Sequence, residues 1–395
     1  MFGHPFYGRA MPAQTEQRGV IVGGSILGPG NQDPVPGALS WEGDRITTVD
    51  LTDCADPNAG TVVDATGCLV LPGIIDLHGD AFERSLMPRA GVPVSLGTAM
   101  ADNDMQLLAA GITTSFLSAT DSWEPGLRSR ETLRALVTKL RRRPPGPRLL
   151  LHVRHERCQV DDLDELLGWL ADGTVSVLSY NDHTPGGIAH VTGVTSTQVA
   201  RSGVDEQELL ERLELAMSRR PTGVGQESLL AAAAATAGIV TASHDPSTAS
   251  DLDRDLELNI GFVEFPTTIE LAHQYRASGV PVLLGAPNLV RGGSHLGNLA
   301  VLDAVAAGAV DLLCSDYHYP SLLEAPFVVT AKGLLGLGDA WAMVSGAVAE
   351  AVGLSDRGRL EPGLLADAIV LEPPASEPPR VRAVVVGGQV VHTRA

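Results

Sequence analysis

Two short segments, far apart in the chain, could supply the ligands of one metal centre. Leu71-Pro72-Gly73-Ile74-Ile75-Asp76-Leu77-His78-Gly79-Asp80 is an apolar run ending in His-x-Asp, and Leu312-Leu313-Cys314-Ser315-Asp316 is an apolar run ending in Asp. Imidazole and carboxylate suit a borderline divalent cation: Zn first, with Mn or Fe as alternatives. If both runs are strands of a parallel barrel, their ends deliver these side chains to one C-terminal mouth. Further apolar runs end alike, in His152-Val153-Arg154-His155-Glu156, in Asn181-Asp182-His183-Thr184-Pro185-Gly186 and in Ser243-His244-Asp245. Unrelated core histidines have no reason to follow strand ends. The shared placement points to hydrolysis by water activated on one or two divalent metals.

Two cations side by side need a bridging anion. The lysines, Lys139 and Lys332, both lie in helical patterns away from strand ends, which excludes a carboxylated lysine and leaves Glu156 as the best bridge. Asp316 could be a ligand that also takes the proton of the attacking water and returns it to the leaving group; its bland reading is a helix cap. In Gly285-Ala286-Pro287-Asn288-Leu289-Val290-Arg291-Gly292-Gly293-Ser294-His295, the Gly-Gly-Ser is read as the start of a helix. Free N–H groups there, with Arg291 beside them, would hold phosphate. Arg84 and Arg89 could add to an anion pocket. Glu264-Phe265-Pro266-Thr267-Thr268 reads as a helix start, with Thr267 or Thr268 as N-cap and Glu270 in the first turn.

The elements that must position these groups follow from periodicity. Apolar, β-rich runs occur near 69–77, 112–117, 148–153, 174–179, 238–243, 259–265, 280–285 and 310–315, separated by helical patterns or loops. This is the count of an α/β fold of the (β/α)8 TIM-barrel type, over residues 71–358. Residues 19–70 hold short strand-like pieces, and 359–395 resume them, with Gly387-Gly388 as a hairpin turn. Both termini are therefore expected to build one small β-sandwich, preceded by a flexible extension over 1–18. The stretch 184–225 is long for a connection and is read as a lid or substrate loop.

Composition bounds the partners. A formal charge of -19 argues against nucleic acid and anionic membranes, and leaves a small-molecule substrate. The four cysteines show no CxxC pair, which fits a reduced, cytoplasmic protein. The N-terminus lacks a signal-peptide core, and the Ala-rich run Leu229–Ala237 is too short to span a membrane and reads as a buried helix. A sandwich edge could pair subunits into a homo-oligomer.

With these motifs in place, the chain resembles the amidohydrolase superfamily, in which a metal-bearing barrel is flanked by a β-sandwich from both termini. Pro72-Gly73-Ile74-Ile75-Asp76-Leu77-His78 and Gly363-Leu364-Leu365-Ala366-Asp367 look like its two hinge signatures. Within it, the motif series from His78-Gly79-Asp80 to Ser315-Asp316-Tyr317 is similar to the diphosphatases of the carbon–phosphorus lyase pathway. That resemblance implies cleavage of the phosphoanhydride of a ribose 5-triphosphate phosphonate ester, with release of pyrophosphate by a metal-bound hydroxide. It implies His78, Asp80, Glu156, His183, His244 and Asp316 as the metal set. Arg291, Gly292, Gly293, Ser294 and His295 would face a phosphorylated substrate, together with Arg154 and Arg89. The chain departs from the pattern at Gly187-Ile188-Ala189-His190 and at Pro246. These departures keep open an alternative with the same metals: attack on a cyclic amide, lactone or amidine carbon.

Overall fold

The computed structural model describes residues 18–50, 60–141, 146–187, 193–293, 299–374 and 378–394. Its N-terminal strands are β1 (Arg18–Ile26), β2 (Val35–Glu42), β3 (Arg45–Asp50), β4 (Thr61–Asp64) and β5 (Leu69–Pro72). The barrel strands follow: β6 (Ile74–Gly79), β7 (Ile112–Asp121), β8 (Arg148–Glu156), β9 (Val177–Asn181), β10 (Val240–His244), β11 (Phe262–Glu264), β12 (Val282–Gly285) and β13 (Leu312–Cys314). The chain ends in β14 (Ala368–Glu372), β15 (Arg380–Val386) and β16 (Gln389–Thr393).

Strands β6 to β13 pair in chain order, all parallel. The first and last meet through a bridge between Gly79 and Asp316, so the barrel is nearly closed. The other sheet runs β16-β15-β14-β5-β1-β2-β3, with β4 beside β1, and so joins both termini. The described residues thus bear out the expected barrel and the expected sheet from both termini. The extension over 1–17 lies outside the described residues.

Each apolar set has its own place. Ile75, Leu77, Phe116, Val177, Ala242, Phe262, Leu283, Leu312 and Cys314 fill the barrel interior, with Val348, Ala349 and Leu354 packed against them. Ile21, Leu39, Trp41, Val70, Val370 and Val385 form the core of the sandwich. The first apolar run is divided between the two sheets. β5 pairs antiparallel with β14, and β6 starts one residue later in the barrel. Gly73 makes this crossing possible, because a Cβ there would collide with Thr113. Trp341 Nε1 donates to Pro72 O at 3.1 Å and fixes the crossing from the barrel side.

The stretch 184–225, read as a lid or substrate loop, is largely helical. Where described, it holds a short helix, Ser196–Ser202, and the first half of a 32-residue helix, Glu206–Ala237. Pro221 and Gly223, residue types that ordinarily weaken a helix interior, lie inside that helix. Gly223 permits the helix to touch the backbone below, since a Cβ would overlap the Arg157 carbonyl. The Ala-rich end buries Leu230 and Ala234 and exposes Leu229, so one face of it is buried. Among the described residues, no helix is long and apolar enough to cross a membrane.

Candidate metal centre

The strand ends bring four imidazoles together. His78 ends with β6, His152 lies in β8, His244 ends β10, and His183 follows β9 by two residues. The ring centroids of His78–His152, His78–His244 and His183–His244 are each 5.3 Å apart. A cavity of about 180 Å³ opens over them and is lined by His78, Asp80, Arg154, His244, Asp245 and Asp316, with Asn288 from the helix that follows β12.

The barrel closure holds the two end strands in register beneath this cavity. Asp76, fully buried, accepts the Ser315 N–H on Oδ1 at 2.9 Å and the Ser315 hydroxyl on Oδ2 at 2.6 Å. Gly79 leaves room for that carboxylate, since a Cβ would meet Asp76 Oδ2. Asp316 N–H then donates to His78 O at 2.9 Å, and Asp80 N–H to Asp316 O at 3.0 Å. Three non-glycine residues at strand ends adopt left-handed backbone: Asp245 (φ 53), Phe265 (φ 54) and Asp316 (φ 51). Each costs on the order of 1–3 kcal/mol, and such strain gathers where side-chain direction matters for function.

Charge is balanced locally. Arg154 stands in the cavity wall, with Nη1 3.3 Å from Asp80 Oδ2 and Nη2 3.2 Å from His244 Nε2. Arg128 approaches Asp80 at 3.7 Å and binds Glu83 through Nε and Nη2, both at 2.9 Å. Burial raises the Asp80 carboxyl, but Arg154 and Arg128 outweigh it and hold it below its ordinary value. Burial also lowers His78 and His244, and Arg154 adds to it, so both rings are neutral, as ligands must be. Burial with the nearby Asp80 carboxylate pushes Asp316 up to about 8.

His78, His244 and Glu264 each offer a donor atom within 4.8 Å of the others, and so do His183, His244 and Asp245. His152 Nδ1 lies 3.1 Å from Leu77 O, which can only accept, so that nitrogen carries the proton. Its Nε2, buried, has no hydrogen-bond partner. A ring of imidazoles edged by carboxylates, with an unsatisfied ring nitrogen among them, fits a divalent cation.

Glu156 stands behind His183, accepting its Nδ1–H on Oε1 at 2.5 Å and its backbone N–H on Oε2 at 2.8 Å. Asp316 does not cap the following helix, Tyr319–Ala331, whose N-cap is His318. The Gly-Gly-Ser reading as a helix start is corrected: Ala286–Arg291 is a helix that ends there, with Gly292 as its left-handed cap (φ 81). Arg291 is exposed and donates to Gly293 O at 2.9 Å. Ser294 and His295 lie outside the described residues, as do Ile188, Ala189 and His190. Arg89 is exposed in the turn after the helix Phe82–Leu86. Thr268 caps the helix Ile269–Ala277 as expected, accepting the Leu271 N–H at 3.1 Å. The sequence reading passed over Glu264, which burial pushes up to about 7. A signal was present: Glu264 closes the apolar run of β11 just as His244 closes that of β10.

A parallel barrel with imidazole and carboxylate at its strand ends, flanked by a sheet from both termini, is the architecture of a metal-dependent hydrolase. A model of an amidohydrolase family matches residues 323–392. The chain is 32% identical over 322 residues to the alpha-D-ribose 1-methylphosphonate 5-triphosphate diphosphatase of Escherichia coli (strain K12), covering 78% of this chain and 84% of that one. Among solved structures it resembles a Xaa-Pro dipeptidase with bound methionine in the active site (TM-score 0.64, 14% identity, 94% of this chain and 99% of that one). It is also similar to a beta-aspartyl dipeptidase from Fervidobacterium islandicum AW-1 (TM-score 0.63, 13% identity, 95% and 97%). The two dipeptidases share the fold. The chain belongs to the amidohydrolase superfamily and is a hydrolase.

Proposed function

We propose that the chain hydrolyses a phosphoanhydride of a ribose 5-triphosphate phosphonate ester and releases pyrophosphate. The observation that carries this reading is Arg154, a guanidinium set among the candidate metal ligands, between Asp80 and His244. A planar, permanently charged donor there suits phosphoryl oxygens. The extended similarity to a diphosphatase supports the same substrate class.

The cation would be held by His78, His183 and His244 with Asp80 and Asp316; Zn suits these donors best, and Mn or Fe fit as well. When bound, it supplies a polarised phosphoryl oxygen and a more acidic water. Glu156 holds His183 through both oxygens. Asp316 orients the attacking water and takes its proton. The oxygen of water bonds to the α-phosphorus, the bond from that phosphorus to the bridging oxygen breaks, and the proton leaves with pyrophosphate. Arg154 meets the charge that develops on the transferred phosphoryl group. Arg291 and the Gly292–Gly293 turn, beyond Asn288 of the same helix, would meet the distal phosphates at the rim.

A second reading, attack on a cyclic amide, lactone or amidine carbon, is favoured by the three carboxylates that line the cavity, Asp80, Asp245 and Asp316. Phosphorus NMR of a ribose 5-triphosphate ester incubated with metal-loaded protein in ¹⁸O water separates the two. The proposal expects free pyrophosphate, with the heavy isotope in the remaining 5-phosphate. An intact triphosphate alongside turnover of a cyclic amide, lactone or amidine would establish the second reading instead.

A further inference from the structure

Glu264 is fully buried, and the cavity above it is lined by His78 and His244, to both of which it is bonded. Its Oε1 lies 2.7 Å from His78 Nδ1 and its Oε2 lies 3.0 Å from His244 Nδ1. A carboxylate accepts, so each ring carries its proton on Nδ1. For His244 a second contact leads to the same tautomer. Arg154 Nη2, which can only donate, lies 3.2 Å from His244 Nε2, so that nitrogen holds the lone pair. The two rings are stacked, with an interplanar angle of 16°. One carboxylate below the cavity floor therefore sets two rings parallel and turns both Nε2 lone pairs away from itself.

We infer that Glu264 is a positioning residue: it fixes the tautomer and orientation of His78 and His244 for a divalent cation without binding the cation itself. This rests on the reading of the histidine cluster as a metal site. An outer carboxylate of this kind raises the basicity of its imidazole and holds its rotamer, and losing it costs about 10–100-fold in metal affinity.

Glu264→Gln tests the assignment. An amide of the same shape offers one acceptor and one donor, so in the metal-free protein one histidine is biased toward carrying its proton on Nε2 and must give that proton position up before it can ligate, which costs affinity but leaves the same ligands at saturation. Zinc affinity, measured by competition with a chromophoric chelator, should fall about 10–100-fold. The melting temperature of the metal-free protein should barely move, and the absorption bands of the cobalt-saturated variant should match those of wild type. Unchanged zinc affinity overturns the inference. Altered cobalt bands at saturation also overturn it, because Glu264 would then be a ligand. Wild-type protein that binds no cation would overturn the metal reading itself, a separate failure. Glu264→Met, similar in size and unable to bond either ring, carries the same expectation if the Gln variant does not fold.

Discussion

Removing the Ser315 hydroxyl tests how the two end strands of the barrel are held. Ser315→Ala deletes the 2.6 Å bond to Asp76 Oδ2 and leaves the 2.9 Å bond from the Ser315 N–H to Oδ1. A hydrogen bond to a charged group contributes about 1.5–3 kcal/mol, and losing one of the bonds to this buried carboxylate, which keeps its backbone bonds from Ser315 and His78, puts the cost near the middle of that range, about 2 kcal/mol. For a chain of this length that is a fall in melting temperature of about 2–4 °C. Calorimetry on metal-free protein reads it, and the Asp76→Asn/Ser315→Ala cycle should return a coupling of about 1–2 kcal/mol. Asp316 keeps its seat through its backbone bonds to His78 and Asp80, at 2.9 and 3.0 Å. Turnover should therefore fall by less than about tenfold. A melting temperature within about 0.5 °C of wild type, or no coupling in the cycle, would refute the assignment of this pair as the latch of the barrel.

Other expectations follow from separate parts of the molecule. Burial raises the Glu124 carboxyl, but Arg201 at 2.7 and 2.8 Å and Gln198 at 3.1 Å more than offset this, so its folded value lies below the ordinary one. A depressed carboxyl stabilises above its unfolded value, near 4.5, and that stability drains as pH falls through the folded value. Acid unfolding of wild type should accordingly steepen below about pH 4.5, and Glu124→Gln should lose stability at neutral pH and show a shallower acid limb. Glu156→Gln, which keeps one acceptor for His183, should bind metal more weakly by about 10-fold or more; full occupancy in dilute metal would remove Glu156 from the centre. Asp316→Asn, whose amide oxygen can still face a cation held by His78, His183, His244 and Asp80 but cannot take a proton, should keep metal and lose turnover by about 100-fold or more, and unchanged turnover would exclude it from proton transfer. Gly223→Ala forces a Cβ onto the Arg157 carbonyl and should cost about 3 kcal/mol or more, read as a lower melting temperature.

The barrel was legible because its strands are largely buried and most of its apolar runs end in polar residues; β12, which runs into Gly285-Ala286-Pro287, is the exception. The division of the first run at Gly73 was not, because periodicity marks an apolar stretch without saying which sheet receives each half. The helix Glu206–Ala237 was hidden by Pro221 and Gly223; at Gly223 the breaker character is overridden by the close approach to Arg157. At the site, the histidines announced themselves by following strand ends. Glu264 did not, because Phe265-Pro266-Thr267-Thr268 after it carries a helix-start signature that Thr268 fulfils. Gly292 and Gly293 illustrate the reverse: glycine before polar residues signals a helix end as readily as a beginning, and the structure places the end there.

We propose that this strand-end cluster binds a divalent cation and uses it to split a phosphoanhydride. The direct measurement is elemental analysis of protein stripped by chelator and reloaded in steps, with pyrophosphate release from a ribose 5-triphosphate ester assayed at each step. Release should rise in proportion to bound metal and return to zero on stripping. Release that is unchanged in fully stripped protein, or metal-loaded protein that leaves the triphosphate intact, would contradict the proposal.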